Sequence, residues 1–414
     1  MTELHFAPAL FERLARDSAA SPGVTRPSYG AGEQHAHDLV AEAAASLGME
    51  KRVDAAGNML LTLPGADRSR VLLLGSHVDT VPHGGNYDGL AGVLAGLEVA
   101  AGFVRGGRTP AVDIGVVALR AEESVWFPVS YIGSKTALGI LPQEALAARR
   151  FDSGMTLGEH IREAGFDPEG VARGEKLIDP ARIAGFVELH IEQGPHLISE
   201  GIVLGVVDGI RGSIRYREAR CLGAYAHSGA VPRKWRHDAV VASAELVTRL
   251  DALWVELEEQ GHDLTLTVGQ LYTDAEQHAF AKVAGECRIC IDVRSRSTDT
   301  LALVDERLKA LCEEIAAARR VRFELGPRTG STPAPMDERM QARLAEAAEA
   351  LGVSWRRMSS GAGHDAATFA LAGVPSVMLF VRNENGSHNP DEHMEMDDFA
   401  KAVAVMRRMA SDFA

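Results

Sequence analysis

Cysteine is scarce in this chain, with four in 414 residues, at Cys221, Cys287, Cys290 and Cys312. So few cannot build the disulfide framework of a small secreted domain, so stability has to come from a buried core. Long apolar runs are missing too. The densest, residues 71–74 and 377–381, fall far short of the ~18 residues that span a bilayer. Residues 1–17 carry Glu3, Glu12 and Asp17, where a secretory leader would be basic and then apolar. A basic balance is also absent: 43 Lys plus Arg stand against 57 Asp plus Glu, a formal charge of −14. Nucleic acid and anionic membranes both reward a basic surface, so neither is expected as a partner. The expectation is a cytoplasmic protein, and one local arginine would suffice to hold a small anionic substrate.

What the chain does have is a 46% hydrophobic composition and length for two or three domains at roughly 150 residues each. Short apolar runs at 71–75, 114–119, 183–189 and 374–381 read as buried parallel strands, and 90–101 as a helix rich in Ala and Leu. This strand, loop, helix rhythm points to an α/β architecture. From Arg211 to about Gly326 the texture changes, as alternating segments at 264–269 and 288–294 bracket helical ones at 239–258 and 301–318. Gly209, Gly212, Gly326-Pro327 and residues 330–335 mark hinges. The expected organisation is therefore a larger mixed-sheet domain of residues 1–210 and 327–414, closed by a helix at 397–413 and interrupted by a smaller α+β domain at 211–326. The Cys287-x-x-Cys290 pair invites a redox or zinc reading. In an alternating run, however, a three-residue offset sends side chains to opposite faces, which favours a buried strand.

The chemistry concentrates where these strands end. Leu74-Gly-Ser-His77-Val-Asp79 closes one, and the carboxyl ends of strands are where open α/β sheets bind ligands. His77 and Asp79, two apart, project to the same side, and a carboxylate beside a histidine sets its tautomer for metal binding. The same pair could equally be a surface hydrogen bond. Asp88 follows on a glycine-rich loop, and Arg120-Ala-Glu122-Glu123 comes directly after another strand. Adjacent acids point in different directions, so one can bind metal while its neighbour reaches a metal-bound water; alone, they are two solvated acids. His190, in Glu188-Leu-His190-Ile-Glu192-Gln193-Gly, and His388, in Ser387-His388-Asn-Pro390, end further strand-like runs. Nitrogen and carboxylate donors without cysteine suit Zn²⁺, Mn²⁺ or Co²⁺, and an aspartate shared between two ions would make a paired site.

Together, His77-x-Asp79, Tyr87-Asp88-Gly89, Glu122-Glu123, Glu188-Leu-His190 and Ser387-His388-x-Pro390 resemble the di-zinc aminoacylase and carboxypeptidase superfamily. Gln193-Gly and Ser360-Gly-Ala-Gly-His364-Asp365-Ala are similar to its N-carbamoyl-L-amino-acid amidohydrolase, allantoate amidohydrolase and β-ureidopropionase branch. The resemblance implies a di-metal catalytic domain with an inserted lid and dimerisation domain, and two divalent ions per subunit, Zn²⁺ first, with Mn²⁺ or Co²⁺ as alternatives. His77, Asp88 and His190 would hold one ion or bridge, Glu123 and His388 would complete the second, and Asp79 would support His77. Glu122 would be the general base toward the metal-bridging water. His227, in Gly223-Ala-Tyr-Ala-His227, would act across a homodimer, while Gln193, Arg294 and Gly361 would contact a small carboxylate-bearing substrate.

The chain also departs from that branch. Trp126 stands after the glutamate pair, where small or polar residues are usual and the substrate pocket is expected. Ala281 and Ala284 replace an asparagine and a turn proline, which leaves Gln277 or His278 to supply one polar contact. The expected reaction is cleavage of a linear amide or ureido C–N bond in an N-carbamoyl amino acid or related ureido acid. An aminoacylase or dipeptidase acting on N-acyl amino acids or dipeptides is the alternative. Gly361-Ala-Gly363-His-Asp-Ala366 also satisfies a dinucleotide fingerprint, but a nicotinamide dehydrogenase would leave the metal-type positions unexplained.

Overall fold

Stretches buried on both faces form the centre of the larger of two compact units. The computed structural model describes residues 3–413, so residues 1, 2 and 414 of the expected domains lie outside the described residues. The first unit takes in residues up to 208, 335–360 and those from 364 onward; the second takes in 209–334 and 361–363. In the first, Val112–Leu119, Asp67–His77, Ile183–Ile191 and Ser376–Val381 lie side by side and parallel. Met59–Leu63, with Glu50–Val53 beyond it, continues the sheet antiparallel on one side, and Leu204–Ile210, to which Trp355–Ser360 also pairs, continues it on the other. This is the mixed sheet of an α/β fold.

Every residue of Val112–Leu119 is buried, which requires helical cover on both faces. The helix Leu90–Arg105 packs on this core and is itself buried nearly all round. Gly92 permits the approach, because a Cβ there would stand 2.4 Å from the Leu189 carbonyl oxygen. Met396–Ser411 is the closing helix and packs on Leu90–Arg105.

Parallel strands finish on one edge, and that edge collects the chemistry. His77 is the last residue of its strand, Glu122 and Glu123 follow Leu119 closely, and His190 is the penultimate residue of Ile183–Ile191. Continuing the register Leu74↔Val187 by three residues sets His77 level with His190. His388 is a correction, since it does not end a strand. Ser376–Val381 stops seven residues earlier, and Asn385, Gly386 and His388 have φ of 63°, 68° and 60°, left-handed values that an extended run cannot hold.

The second unit is an antiparallel sheet in the order Arg322–Glu324, Gly212–Leu222, Glu286–Ser295, Thr265–Thr273. Arg328–Ser331 also pairs with Gly212–Leu222, which is why this unit runs to Ala334 and not to 326. The helices Ala239–Glu259 and Thr298–Arg319, capped by Asp238 and Ser297, add Leu246, Leu250, Val304 and Leu308 to a core with Ile289, Ile291 and Val293. Alternation along Glu286–Ser295 buries Cys287 and turns Cys290 the other way, its Sγ 3.3 Å from Gln270 Oε1. Among the described residues no cysteine joins a metal-ligand group.

One buried ion pair fixes the turn that presents the paired glutamates. Arg120 is 1% exposed; its Nη1 donates to Glu33 Oε2 at 2.7 Å and its Nε to the Gly57 carbonyl at 2.7 Å. Glu33, in the helix Ala31–Ser46, also accepts the Ala121 N–H. Removing one partner strands a buried charge, so Arg120→Met is expected to destabilise the chain by about 3–5 kcal/mol. The double variant Glu33→Met/Arg120→Met should recover part of that loss. Urea titrations of the full chain followed by circular dichroism check both expectations, and equal midpoints for wild type and Arg120→Met would contradict them.

Candidate metal centre

Asp88 reaches the strand edge on the loop that leads into Leu90–Arg105, and three histidines converge on it. His190 Nε2 lies 3.0 Å and His77 Nε2 3.4 Å from Asp88 Oδ1, while His388 Nε2 lies 3.4 Å from Asp88 Oδ2. Glu123 Oε1 is 3.3 Å from the same His388 nitrogen. Two groups with their donor atoms within 4.8 Å of one another result, His77/Asp88/His190 and Asp88/Glu123/His388, with Asp88 in both.

The surroundings set the tautomers. His190 Nδ1 stands 2.9 Å from the Ile191 carbonyl oxygen, which only an N–H can satisfy, so its Nε2 is left as the donor atom. His77 Nδ1 faces Asp79 in the same way, 3.3 Å from Oδ1 and 3.2 Å from its carbonyl. Asp79 is held in turn by Ser28 Oγ at 2.6 Å and by the backbone N–H groups of Glu122 and Glu123. One buried carboxylate therefore orients a histidine and the glutamate turn together. The arrangement fits divalent ions that prefer N and O donors, and the oriented imidazoles match a metal site's supporting hydrogen bonds.

Charge at the site is sharply partitioned. Burial works against the ionised form of Asp88, yet His190, His388 and His77 around it hold its carboxyl well below the usual range. Glu122 behaves oppositely. Burial pushes its carboxyl well above the ordinary value against the pull of His77, and Glu123, Asp365 and Asp79 add to the rise. Hydrogen bonds to Asp88 and Glu123 raise His388 to about 11. A buried carboxylate with raised proton affinity near Asp88, which is held ionised, is the pairing expected of a base next to a cation site.

The remaining expected site residues lie in different surroundings. Gln193 donates through Nε2 to Asp88 Oδ2 at 2.8 Å, while its Oε1 is buried with no donor. Trp126 is 4% exposed and packed with Phe127, Tyr29 and Ile132, its Nε1 donating to the Thr80 carbonyl at 2.7 Å. His227, Arg294 and Gly361 belong to the second unit. His227 is exposed and its Nδ1 accepts the N–H groups of Gly229 and Ala230, so the proton sits on Nε2. Arg294 pairs with Asp292 and donates from Nη1 to the Gly361 carbonyl at 2.8 Å.

Two direct roles escaped the sequence reading, which quotes Ser387 only within a motif and does not single out Glu392. Ser387 Oγ lies 2.6 Å from both Asp88 Oδ2 and Glu392 Oε2, and Glu392 Oε1 accepts the Tyr87 and Asp88 N–H groups. The signal available was an acid four residues past His388, which carries no meaning until the loop is folded. Gly89 supplies the sharpest steric constraint: φ is 65°, and a Cβ would lie 2.4–2.5 Å from three atoms of the His77 ring. Gly89→Ala is accordingly expected to displace His77 and lower metal affinity at least about 10-fold without loss of secondary structure. Metal content after gel filtration, measured beside circular dichroism, checks this; full metal loading would refute it.

Residues 73–412 match the peptidase family M20/M25/M40. The chain is 33% identical over 392 residues to the N-carbamoyl-L-amino acid amidohydrolase of Geobacillus stearothermophilus, covering 93% of this chain and 92% of that one. To the allantoate amidohydrolase of Bacillus subtilis strain 168 it is 34% identical over 378 residues, covering 91% and 89%. The crystal structure of a hydantoinase/carbamoylase family amidase from Burkholderia ambifaria superposes with a TM-score of 0.85 at 30% identity, covering 99% of this chain and 96% of that one. With the match spanning both halves of the strand edge and all five converging donors, the chain belongs to the M20/M25/M40 peptidase family.

Proposed function

We propose that this chain is a metal-dependent amidohydrolase that cleaves a linear C–N bond of an N-carbamoyl amino acid or related ureido acid. The observation that carries the reading is the pair of donor groups sharing Asp88, with Glu122 held beside them. The substrate class follows the relatives named N-carbamoyl-L-amino acid amidohydrolase and allantoate amidohydrolase. His77, Asp88 and His190 would hold one divalent ion, and Asp88, Glu123 and His388 a second, Zn²⁺ fitting the donors, with Mn²⁺ or Co²⁺ as alternatives. Bound there, the ions supply Lewis acidity to the scissile carbonyl and acidify water.

The protein's own groups do the rest. Glu122 takes the proton of the attacking water on its carboxylate and returns it to the departing nitrogen, a role its raised proton affinity suits. Gln193 Oε1, buried without a donor, accepts a substrate N–H, while Arg294, with Gly361 beside it, receives the substrate carboxylate. His227 presents its protonated Nε2 at an exposed position, as a donor to the developing oxyanion of a second copy. That copy would form a homodimer over the second unit's edge strand Thr265–Thr273, where Leu271 and Tyr272 are exposed, and near the fully exposed Phe280.

Metal-stripped enzyme reloaded with Zn²⁺, Mn²⁺ or Co²⁺ should release ammonia from N-carbamoyl amino acids and only traces of amine from N-acetyl amino acids or dipeptides. Amine without ammonia would move the assignment to an aminoacylase or dipeptidase. Glu122→Gln and His227→Ala should each bind metal and lose at least about 100-fold in turnover. Mixing the two inactive variants should restore part of the activity through dimers with one intact composite site. No recovery on mixing, with subunit exchange verified, would end the cross-subunit role of His227.

A further inference from the structure

The Asp88 loop is gripped by a segment that does more than supply the Ser28 contact to Asp79. Residues 24–28 run along the loop between His77 and Asp88. Val24 and Gly84 exchange backbone hydrogen bonds, and Thr25 Oγ1 accepts the His83 N–H. Arg26 N–H donates to Thr80 Oγ1, Thr80 N–H donates to the Arg26 carbonyl, and Ser28 Oγ donates to Asp79. The side chain of Arg26 completes the strap: it is 0% exposed, its Nε donates to the Val78 carbonyl at 2.8 Å and its Nη1 to Asn86 Oδ1 at 2.8 Å. Val78 lies between His77 and Asp79, and Asn86 lies two residues before Asp88, so a single planar fork spans both ends of the ligand-bearing loop. Asn86 is anchored further by donating to the Phe11 carbonyl.

We infer that Arg26 is a positioning residue that holds His77 and Asp88 in register for a shared pair of metal ions, an inference that rests on the metal-centre reading above. Two features separate this role from ordinary core filling. Burial pulls the guanidinium down to about 10 against Asp79, Glu392 and Asp88, so it remains a cation at neutral pH, behind a site that must itself accept cations. Its side-chain hydrogen bonds go to neutral oxygens, which leaves the Asp79 and Asp88 carboxylates free for His77, Ser28 and the metal. Electrostatics alone would make Arg26 weaken metal binding; positioning makes it strengthen metal binding. The sign of the effect therefore decides between them.

The test titrates Zn²⁺, against a competing chelating indicator, into metal-stripped full-length wild type, Arg26→Met, Arg26→Lys and Asn86→Ala. Arg26→Met is expected to bind Zn²⁺ about 10- to 100-fold more weakly than wild type. Arg26→Lys should fail to restore the affinity, because a point charge cannot bridge two acceptors as the fork does. Asn86→Ala, which keeps the charge and removes one acceptor, should weaken binding in the same direction. Wild-type or tighter affinity in folded Arg26→Met, or rescue by lysine, would overturn the inference. If Arg26→Met does not fold, Asn86→Ala decides alone, and wild-type affinity in that variant overturns it. A wild-type chain that binds no Zn²⁺ would instead remove the metal-centre reading itself.

Discussion

A buried carboxylate shared by three histidines is the constraint around which this site is organised. Asp88 is 4% exposed, and an isolated charge at that depth would cost far more than any single hydrogen bond returns. It remains ionised because His77, His190 and His388 face its two oxygens and Ser387 and Gln193 donate to one of them. These groups come from three separate stretches of chain. To bury Asp88 is therefore to bring the loop after Asp67–His77, the end of Ile183–Ile191 and the loop after Ser376–Val381 to one place.

The parallel sheet makes this convergence geometrically cheap. Four adjacent parallel strands end on the same edge, so residues far apart in sequence arrive together without individual steering. Finer adjustment falls to buried polar groups behind the edge. Asp79 couples the His77 ring to the glutamate turn, Glu33 and Arg120 tie that turn to the helix Ala31–Ser46, and Arg26 and Glu392 hold the Asp88 loop at Asn86 and at the Tyr87 and Asp88 N–H groups. Among the described residues, Gln193 Oε1 is one of the buried atoms these networks leave without a partner, and it lies on a side chain that donates to Asp88.

Much of the frame was readable before folding. Apolar runs buried on both faces announce parallel strands, and the change to alternating texture after Arg211 announces a separate antiparallel layer. Extent was harder to read. Arg328–Ser331 is polar and exposed along its length, and its pairing with Gly212–Leu222 draws the second unit on to Ala334. Nothing local showed that His388 sits on a left-handed loop well past its strand, or that the Trp126 indole is packed among apolar side chains, hydrogen-bonded to Thr80.

The identity of the donors belongs to the sequence, because histidine and carboxylate at strand ends are legible from hydrophobic patterning and residue chemistry alone. Which of those donors share a centre belongs to the tertiary structure, since distances between segments a hundred residues apart are set by strand register and loop anchoring. The same division separates Glu122 from Glu123. They are chemically identical neighbours in the chain and burial raises the proton affinity of both, but only the fold faces Glu123 toward His388 and sets Glu122 near Asp365 and Asp79, which raise it further. Arg26 and Glu392 lie wholly on the structural side: a lone arginine or glutamate in sequence reads as surface charge, and burial against a ligand-bearing loop is what gives each a role.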